Sequence, residues 1–232
     1  MSGIEPYENV GDLHQATAAA FCELVAETLA TKDTFRISLS GGSTPKRLYE
    51  LLAERELPWD KIHWYWGDER NVLHDHADSN AKMVQEALLS RVPAPPANVH
   101  PVPVDVEDPA SAALAYEKLL REHFAGQEFP QWDLALLGMG DDAHTASLFP
   151  ETKALDATDR WFTENWVEKF DCFRYTLTAP AINSARQSWF LVAGSGKQDA
   201  LKQVLSNEHN PRLYPSQLIQ PTRWYVTQDA MA

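Results

Sequence analysis

The sequence has few cysteines and no long apolar run. Only Cys22 and Cys172 occur among its 232 residues, too few for the disulfide framework of a small secreted protein. No stretch approaches the roughly 18 consecutive apolar residues of a membrane-spanning helix. The N-terminal residues include acids and proline but no apolar core, unlike a signal peptide. These absences predict a cytoplasmic protein without a membrane anchor.

Basic residues are also scarce. The chain has 20 Lys and Arg against 33 Asp and Glu, a formal net charge of −13 at pH 7. A nucleic-acid surface needs clustered cations that displace phosphate counterions, and an anionic membrane would repel this chain. We therefore expect neither nucleic acid nor membrane as a partner. An anionic small molecule would have to be bound by a few local cations and backbone amides.

Several familiar motifs are missing. There is no Gly-x-Ser-x-Gly nucleophile elbow, which disfavours a serine hydrolase. Gly194-Ser195-Gly196-Lys197 lacks both the leading glycine and the following Ser or Thr of a phosphate-binding Walker loop. Residues 138–143 fit a loose dinucleotide pattern, but Pro150 interrupts the long helix that should follow. His74-Asp75-His76 has no third ligand at standard spacing, so we predict no metal site.

The remaining pattern alternates strands with helices, which predicts an α/β fold with three αβα layers and a mostly parallel, Rossmann-like central sheet. We expect one domain over residues 1–232, since the alternation continues through the proline-rich connector Val92–Val104. The predicted strands are Phe35–Leu39, Ile62–Trp66, the apolar run from Leu134, Trp161–Val167, Arg174–Thr178, Ser188–Ala193 and Thr222–Val226. The predicted helices are Asp12–Ala30, Lys46–Arg55, Ser79–Leu89, Pro109–Phe124, Ala179–Ala185 and Lys197–Leu205.

The segment 134–150 concentrates side chains that could act in catalysis. Its apolar run breaks at Gly138 and Gly140, sets Asp142 two residues before His144, and is predicted to close with a helical turn before Pro150. Histidine is the usual general base near neutral pH. A structural histidine is the alternative interpretation.

The segment Ser40–Pro45 joins a predicted strand to a predicted helix. Its two glycines let the backbone approach a ligand, and the amides of a helix N-terminus favour an anion. Ser43 or Thr44 is the expected N-cap, with Pro45 in the first helical position. The alternative is a glycine turn followed by an ordinary cap.

Two further cations stand at the ends of predicted elements. Arg70 ends the run Asp68-Glu69-Arg70 after a strand and could hold an anion with two hydrogen bonds, although a surface ion-pair cluster is common there. Lys197 beside a glycine turn could place a point charge against a phosphate, or it could be a solvated lysine at a helix start.

Taken in order, these segments resemble the 6-phosphogluconolactonase family over nearly the whole chain. The matching segments are Ser38–Pro45, Gly67–Arg70, Asp78–Asn80, Leu136–Gly140, His144–Pro150, Arg174–Thr178, Ile182-Asn183, and Gly194 with Lys197. Each segment is weak by itself, whereas the ordered set is specific.

The resemblance implies hydrolysis of 6-phospho-D-glucono-1,5-lactone to 6-phospho-D-gluconate in the oxidative pentose phosphate pathway, without metal or organic cofactor. It implies that His144 activates a water, with Asp142 alongside and Arg70 able to stabilise the oxyanion. It leaves open which of the three cations Arg70, Arg174 and Lys197 meets the phosphate. The remaining substrate-binding residues that it implies are Gly41, Gly42, Ser43, Thr44 and Asp68.

The chain departs from the family pattern at two positions. Ala143 stands where the family usually has glycine, and an alanine at positive φ would be strained by about 1 kcal/mol or more. Leu73 stands where proline is common.

Two alternative functions stay open. The similar amino-sugar-phosphate deaminases carry an acid five residues after the histidine, where this chain has Phe149. A sugar-phosphate sensor that has lost catalysis is the other alternative. The expected partner is a small sugar phosphate, and a monomer is the default.

Overall fold

The computed structural model describes residues 3–231, and a seven-stranded sheet organises them. All its neighbouring strands are parallel, in the order β1-β10-β9-β6-β2-β3-β5. These strands are β1 (Ile4–Tyr7), β2 (Phe35–Leu39), β3 (Ile62–Trp66), β5 (Val99–His100), β6 (Leu134–Gly138), β9 (Ser188–Val192) and β10 (Arg223–Thr227). The predicted α/β class with a mostly parallel central sheet is confirmed.

Seven helices connect and flank the strands within the described residues. They are α1 (Val10–Leu29), α2 (Ser43–Leu52), α3 (Asn80–Ala87), α4 (Pro109–His123), α5 (Ala179–Asn183), α6 (Gln198–Val204) and α7 (Gln228–Met231). None of the helices in residues 3–231 combines the length and apolarity needed to cross a membrane.

Strand β3 shows that both faces of the sheet are covered. Successive side chains of a strand point to opposite faces. Trp64 stacks against Phe21 of α1, at 6.5 Å between ring centroids. Tyr65, on the other face, packs against Phe124 at the end of α4, at 5.7 Å. Because both side chains are almost fully buried, helices enclose the sheet from two sides, which explains the near-continuous apolar sequence of this strand.

The strand order reverses beside β2. This strand pairs with β3 on one side and with β6 on the other, so the segments that follow β2 and β6 separate at the carboxyl edge of the sheet. In open α/β sheets such a switch point leaves a crevice where ligands bind. Ser40–Pro45 and the segment after Gly138, both singled out from the sequence, therefore face one crevice.

A second sheet, which the sequence did not predict, lies beside this crevice. It is antiparallel, in the order β4-β8-β7, and consists of β4 (Asp68–Arg70), β7 (Phe162–Val167) and β8 (Cys172–Leu177). The sequence predicts Asp68–Arg70 only as a polar segment after the strand Ile62–Trp66, whereas the structure makes it a strand of its own. The chain changes sheets at Gly67, whose N–H donates to the Leu39 carbonyl and whose carbonyl accepts from the Leu177 N–H.

Two short edge strands were also missed. β1 contains Pro6, which weakens a strand signal and is tolerated at a sheet edge. β5 is only two residues long and lies inside the proline-rich connector.

Three histidines form a cluster at the α4 side of the sheet. His63 of β3 and His100 of β5 approach to 3.3 Å between ring nitrogens, and the His123 ring lies 4.6 Å from that of His100. Burial lowers the pKa of His100 to about 4 and also lowers the pKa values of His63 and His123. The folded cluster therefore resists protonation.

Acidification should destabilise the fold through this cluster. In the unfolded chain histidine titrates near its ordinary pKa, about 6.5. The unfolded chain therefore binds more protons than the folded chain as the pH falls from about 6.5 to about 4, and the free energy of unfolding should drop by about 2 kcal/mol across this window. Urea unfolding at a series of pH values measures the drop. His100→Gln should flatten it and His209→Gln, at an exposed histidine, should not; equal slopes in the two variants would contradict the assignment.

Candidate functional site

A cavity of about 250 Å³ fills the crevice between the loops after β2 and β6. All of the predicted site residues except Asp142 line it. Those lining residues are Gly41, Gly42, Ser43, Thr44, Asp68, Arg70, His144, Arg174 and Lys197. The fold thus brings together side chains from five separate segments of the sequence.

The loop after β2 is fixed by hydrogen bonds to a side chain of α2. The Tyr49 hydroxyl donates to the Ser40 carbonyl at 2.8 Å and accepts from the Ser40 N–H at 3.0 Å. Gly42, at φ 100°, is the N-cap, and no side chain among the described residues caps the helix. The predicted cap at Ser43 or Thr44 is therefore wrong, because the helix already begins at Ser43 and Pro45 is its third residue. The first amides of α2 have no partner within the helix, and Ser43 and Thr44, which carry two of them, line the cavity.

Gly41 is required by a close approach. A Cβ at this position would overlap the carboxamide of Asn80. Asn80 is buried and donates from Nδ2 to the Asp68 carbonyl at 3.0 Å. Asn80 thus joins the β2 loop to β4, and only glycine leaves room for this contact.

The three cations of the cavity have no anionic partner among residues 3–231. Arg70 and Arg174 lie directly opposite each other across β4 and β8, and the Nε atom of each is buried without a hydrogen-bond partner. Arg70 donates from a terminal nitrogen only to the Asp78 carbonyl, at 2.5 Å. Like charges in directly opposed positions repel, so in this acidic chain the arrangement favours a bound anion.

Asp68 and Glu69, the two acids beside Arg70, have different surroundings. Asp68 lines the cavity, and its carboxylate accepts a hydrogen bond from the Ser147 hydroxyl at 2.8 Å. Glu69 points away and accepts from the N–H groups of Asn80 and Ala81, both at 2.7 Å, at the start of α3. Burial raises the pKa of Glu69 against these hydrogen bonds, which oppose the rise. Glu69 therefore fixes strand β4, which carries Arg70, to the start of α3. Because Glu69 is fully buried, the alternative interpretation as a surface ion-pair cluster does not describe it.

The segment after β6 is a series of turns. The predicted helical turn before Pro150 is wrong, because Ala143 and Ala146 have φ values of 63° and 47°, outside the helical region. The Gly140 N–H donates to the His144 carbonyl at 2.9 Å. Ser216 donates to the Ala143 carbonyl from both its N–H, at 2.9 Å, and its hydroxyl, at 2.8 Å. The turn is thus tied to a distant part of the chain.

His144 is oriented from two directions. Its Nδ1 lies 2.5 Å from Oδ1 of Asp142, and its ring stacks on Phe149 at 4.0 Å between centroids. Since a carboxylate accepts at Nδ1, that nitrogen carries the proton and Nε2 is left as the basic atom. Nε2 makes no hydrogen bond to any residue from 3 to 231. Gly140 is needed beneath the ring, since a Cβ there would collide with the imidazole.

Asp142 lies behind His144 rather than in the cavity wall. Burial raises the pKa of its carboxyl, but the hydrogen bond and charge of His144, together with Lys169, outweigh burial and hold that pKa well below the usual range. Asp142 is thus ionised at neutral pH, where its carboxylate can orient the imidazole.

The structure offers no evident metal centre in the described part of the chain. No group of three His, Cys, Asp or Glu side chains is placed to hold an ion. His74 Nε2 instead lies 2.9 Å from the Val102 carbonyl, and His76 is near Asp78.

Some residues that shape the site escaped the sequence reasoning. Lys169 and Ser216 contact site residues from segments distant in the chain, and nothing local in their sequence marks them. Asn80 lies in the matching segment Asp78–Asn80, but its contacts with Asp68 and Gly41 were not predicted. Ser147 is different, because it lies within the segment 134–150 that the sequence analysis singled out. Its hydroxyl was the feature that could have identified it as a polar residue of the site.

Comparison with known proteins places the chain among sugar-phosphate enzymes. The family model described as "Glucosamine-6-phosphate isomerases/6-phosphogluconolactonase" matches residues 8–228. A 6-phosphogluconolactonase of Synechocystis is 47% identical over 211 residues, 89% of this chain and 87% of the relative. One from Nostoc is 52% identical over 189 residues, 81% and 78% of the two chains. The crystal structure of 6-phosphogluconolactonase from Thermotoga maritima superposes with a TM-score of 0.82 at 30% identity, covering 97% of this chain and 98% of the other.

Ala143 provides a test of the turn. Its φ is 63°, the conformation in which an alanine is strained. Replacing it by glycine therefore relieves strain but removes a fully buried methyl and adds freedom to the unfolded chain. Because these effects offset, Ala143→Gly should change the free energy of unfolding by less than about 1 kcal/mol.

Ala113→Gly is the matched control, since Ala113 is equally buried but helical; it should cost about 1–2 kcal/mol. Urea unfolding measures both variants. A loss in Ala143→Gly as large as in Ala113→Gly would show that the turn carries no strain at this residue.

Proposed function

The chain belongs to the glucosamine-6-phosphate isomerase/6-phosphogluconolactonase family, and on this premise we propose that it hydrolyses 6-phospho-D-glucono-1,5-lactone to 6-phospho-D-gluconate in the oxidative pentose phosphate pathway. Relatives that carry the name 6-phosphogluconolactonase match four-fifths or more of the chain. One observation carries the assignment to this site: His144, whose Nε2 has no hydrogen-bond partner among residues 3–231, lines a cavity with three cations that have no ion pair among those residues.

The cavity suits a phosphorylated sugar. The phosphate of such a substrate is an anion that backbone amides at the N-terminus of α2 and nearby cations bind well. We assign Gly41–Thr44 and the cations Arg70, Arg174 and Lys197 to substrate binding, with Asp68 placed for a sugar hydroxyl. Local charge must do this work, because the protein as a whole is negative.

The reaction needs a base and a stabilised oxyanion. A lactone is an activated ester, so no covalent nucleophile is required. In our mechanism a water lies between Nε2 of His144 and the lactone carbonyl carbon; Nε2 takes a proton as the water oxygen bonds to that carbon. Arg70 or a loop amide stabilises the carbonyl oxygen as it becomes negative. The carbon–ring-oxygen bond then breaks, and the ring oxygen leaves with a proton returned from His144.

Phe149 separates this proposal from the deaminase alternative. A deaminase of the related type would need a carboxyl at this position to assist ring opening. Phe149 instead covers one face of the His144 ring and is almost completely buried. An apolar side chain there supplies no proton, which favours hydrolysis.

We also propose that the described chain forms one domain. Its buried core residues run from Leu13 to Ala230 as a single cluster, and the family match spans nearly the same range. A monomer stays our expectation for its assembly.

The proposed activity is tested with freshly generated lactone. Purified protein should accelerate acid release well above the spontaneous rate, followed in a weakly buffered solution with a pH indicator. No acceleration at micromolar protein would contradict the lactonase. Binding of 6-phosphogluconate without turnover would support the sensor alternative instead.

The role of His144 is tested by its removal. His144→Ala should lower kcat by at least about 10²-fold, because the general base is lost, while 6-phosphogluconate should bind with nearly unchanged Kd. His209→Ala, at an exposed histidine outside the cavity, should retain full activity. Turnover of His144→Ala near that of the parent would remove His144 from the base role.

A further inference from the structure

The turn between β7 and β8 reaches the back of the catalytic histidine. Lys169, in this turn, donates from Nζ to Oδ2 of Asp142 at 2.9 Å and approaches Oδ1 of Asp141 at 3.4 Å. The other oxygen of Asp142 holds Nδ1 of His144 at 2.5 Å. Lys169, Asp142 and His144 thus form a continuous chain of charge-assisted hydrogen bonds.

The neighbouring residue of the same turn supports the ring. Phe170 packs edge-on against Phe149, with centroids 5.6 Å apart at 81°, and Phe149 stacks on His144. The guanidinium of Arg174 lies over the Phe170 ring at 4.9 Å. One turn of the small sheet therefore contacts both the carboxylate and the aromatic side chain that orient the imidazole.

Lys169 does not reach the substrate cavity. It lines a separate groove together with Asp142 and Lys153, and it is absent from the cavity lining. An effect of Lys169 on catalysis would therefore have to pass through Asp142.

We propose that Lys169 is a positioning residue for the hydrolysis, which holds the outer oxygen of Asp142 and offsets its charge so that His144 stays neutral and able to accept a proton. This inference rests on the proposed function. A carboxylate alone beside an imidazole favours the imidazolium form, which cannot act as a base. A cation on the far side of that carboxylate weakens this preference while keeping the hydrogen bond that orients the ring.

Other charges also face the pair. Asp141 lies beside Lys169 on the solvent side. The cavity side presents Asp68, Arg70, Arg174 and Lys197. Of the charged side chains described, apart from His144 only Lys169 contacts the Asp142 carboxylate directly, so its removal changes the nearest charge and leaves the others in place.

The test compares Lys169→Met, Lys169→Arg and Lys153→Met. Lys153 is an exposed lysine of the same groove without an ion pair among the described residues, so Lys153→Met is the matched control. We measure kcat/KM for the lactone against pH, after subtracting spontaneous hydrolysis. Titration of the substrate phosphate is common to all variants and cancels in the comparison.

Loss of Lys169 should move the acid limb of the profile. In Lys169→Met we expect its midpoint to rise by about half a pH unit, as suits a half-exposed ion pair, and kcat/KM at the parent's midpoint to fall about two- to threefold. Binding of 6-phosphogluconate should be unchanged. Lys169→Arg should restore the parent's midpoint, and Lys153→Met should keep it.

A second measurement is independent of activity. Ring ¹⁵N resonances of His144 should show the imidazole of Lys169→Met protonating at a higher pH than in the parent. If Lys169→Met loses stability or rate without moving either pH midpoint, Lys169 is only structural and the inference is overturned. If the parent itself does not hydrolyse the lactone, the proposed function fails, and the resonance shift alone then decides the charge effect of Lys169.

Discussion

The hydrogen bond between Asp142 and His144 is the interaction on which the proposed site depends, and an irregular turn makes it. Asp142 and His144 are two positions apart in the sequence. They lie in a turn with positive φ at Ala143 and Ala146. Such backbone persists only where surrounding contacts hold it. Here Ser216 binds the turn's carbonyl, and Gly140 leaves the space that the imidazole fills. Contacts with distant segments thus hold the backbone that places the His144 imidazole at the cavity.

A second constraint is electrostatic. In a chain of net charge −13, three cations are gathered at the edge where two sheets meet. Arg70 and Arg174 are neighbours only because the chain leaves the large sheet at Gly67 and starts an antiparallel one. A phosphate or carboxylate bound between them would offset their repulsion. We propose that these cations bind the anionic substrate and that Asp142 and Lys169 position His144 from the side away from the cavity.

Much of this architecture could be predicted from the sequence, and the failures share a cause. The apolar runs at Phe35 and Leu134, each followed by glycines, correctly indicated buried strands that end at one edge, because burial and turn chemistry are local signals. The antiparallel sheet was missed because Asp68–Arg70 has no strand pattern and pairs with residues about a hundred positions away. Lys169 was missed for the same reason: its partner lies 27 residues earlier. The prediction of a helical turn before Pro150 was wrong because contacts with distant residues override the local helical preference of this segment.

The central claim is that one cavity holds an anion against Arg70, Arg174 and Lys197 while His144 faces the reacting carbon. A crystal structure with bound 6-phosphogluconate tests it most directly. The account predicts the phosphate and the carboxylate at opposite ends of the cavity, each within hydrogen-bond distance of these cations or of the amides of residues 41–44, and Nε2 of His144 within about 3–3.5 Å of a carboxylate oxygen. Product bound in another groove, or bound here with its carboxylate remote from His144, would contradict it.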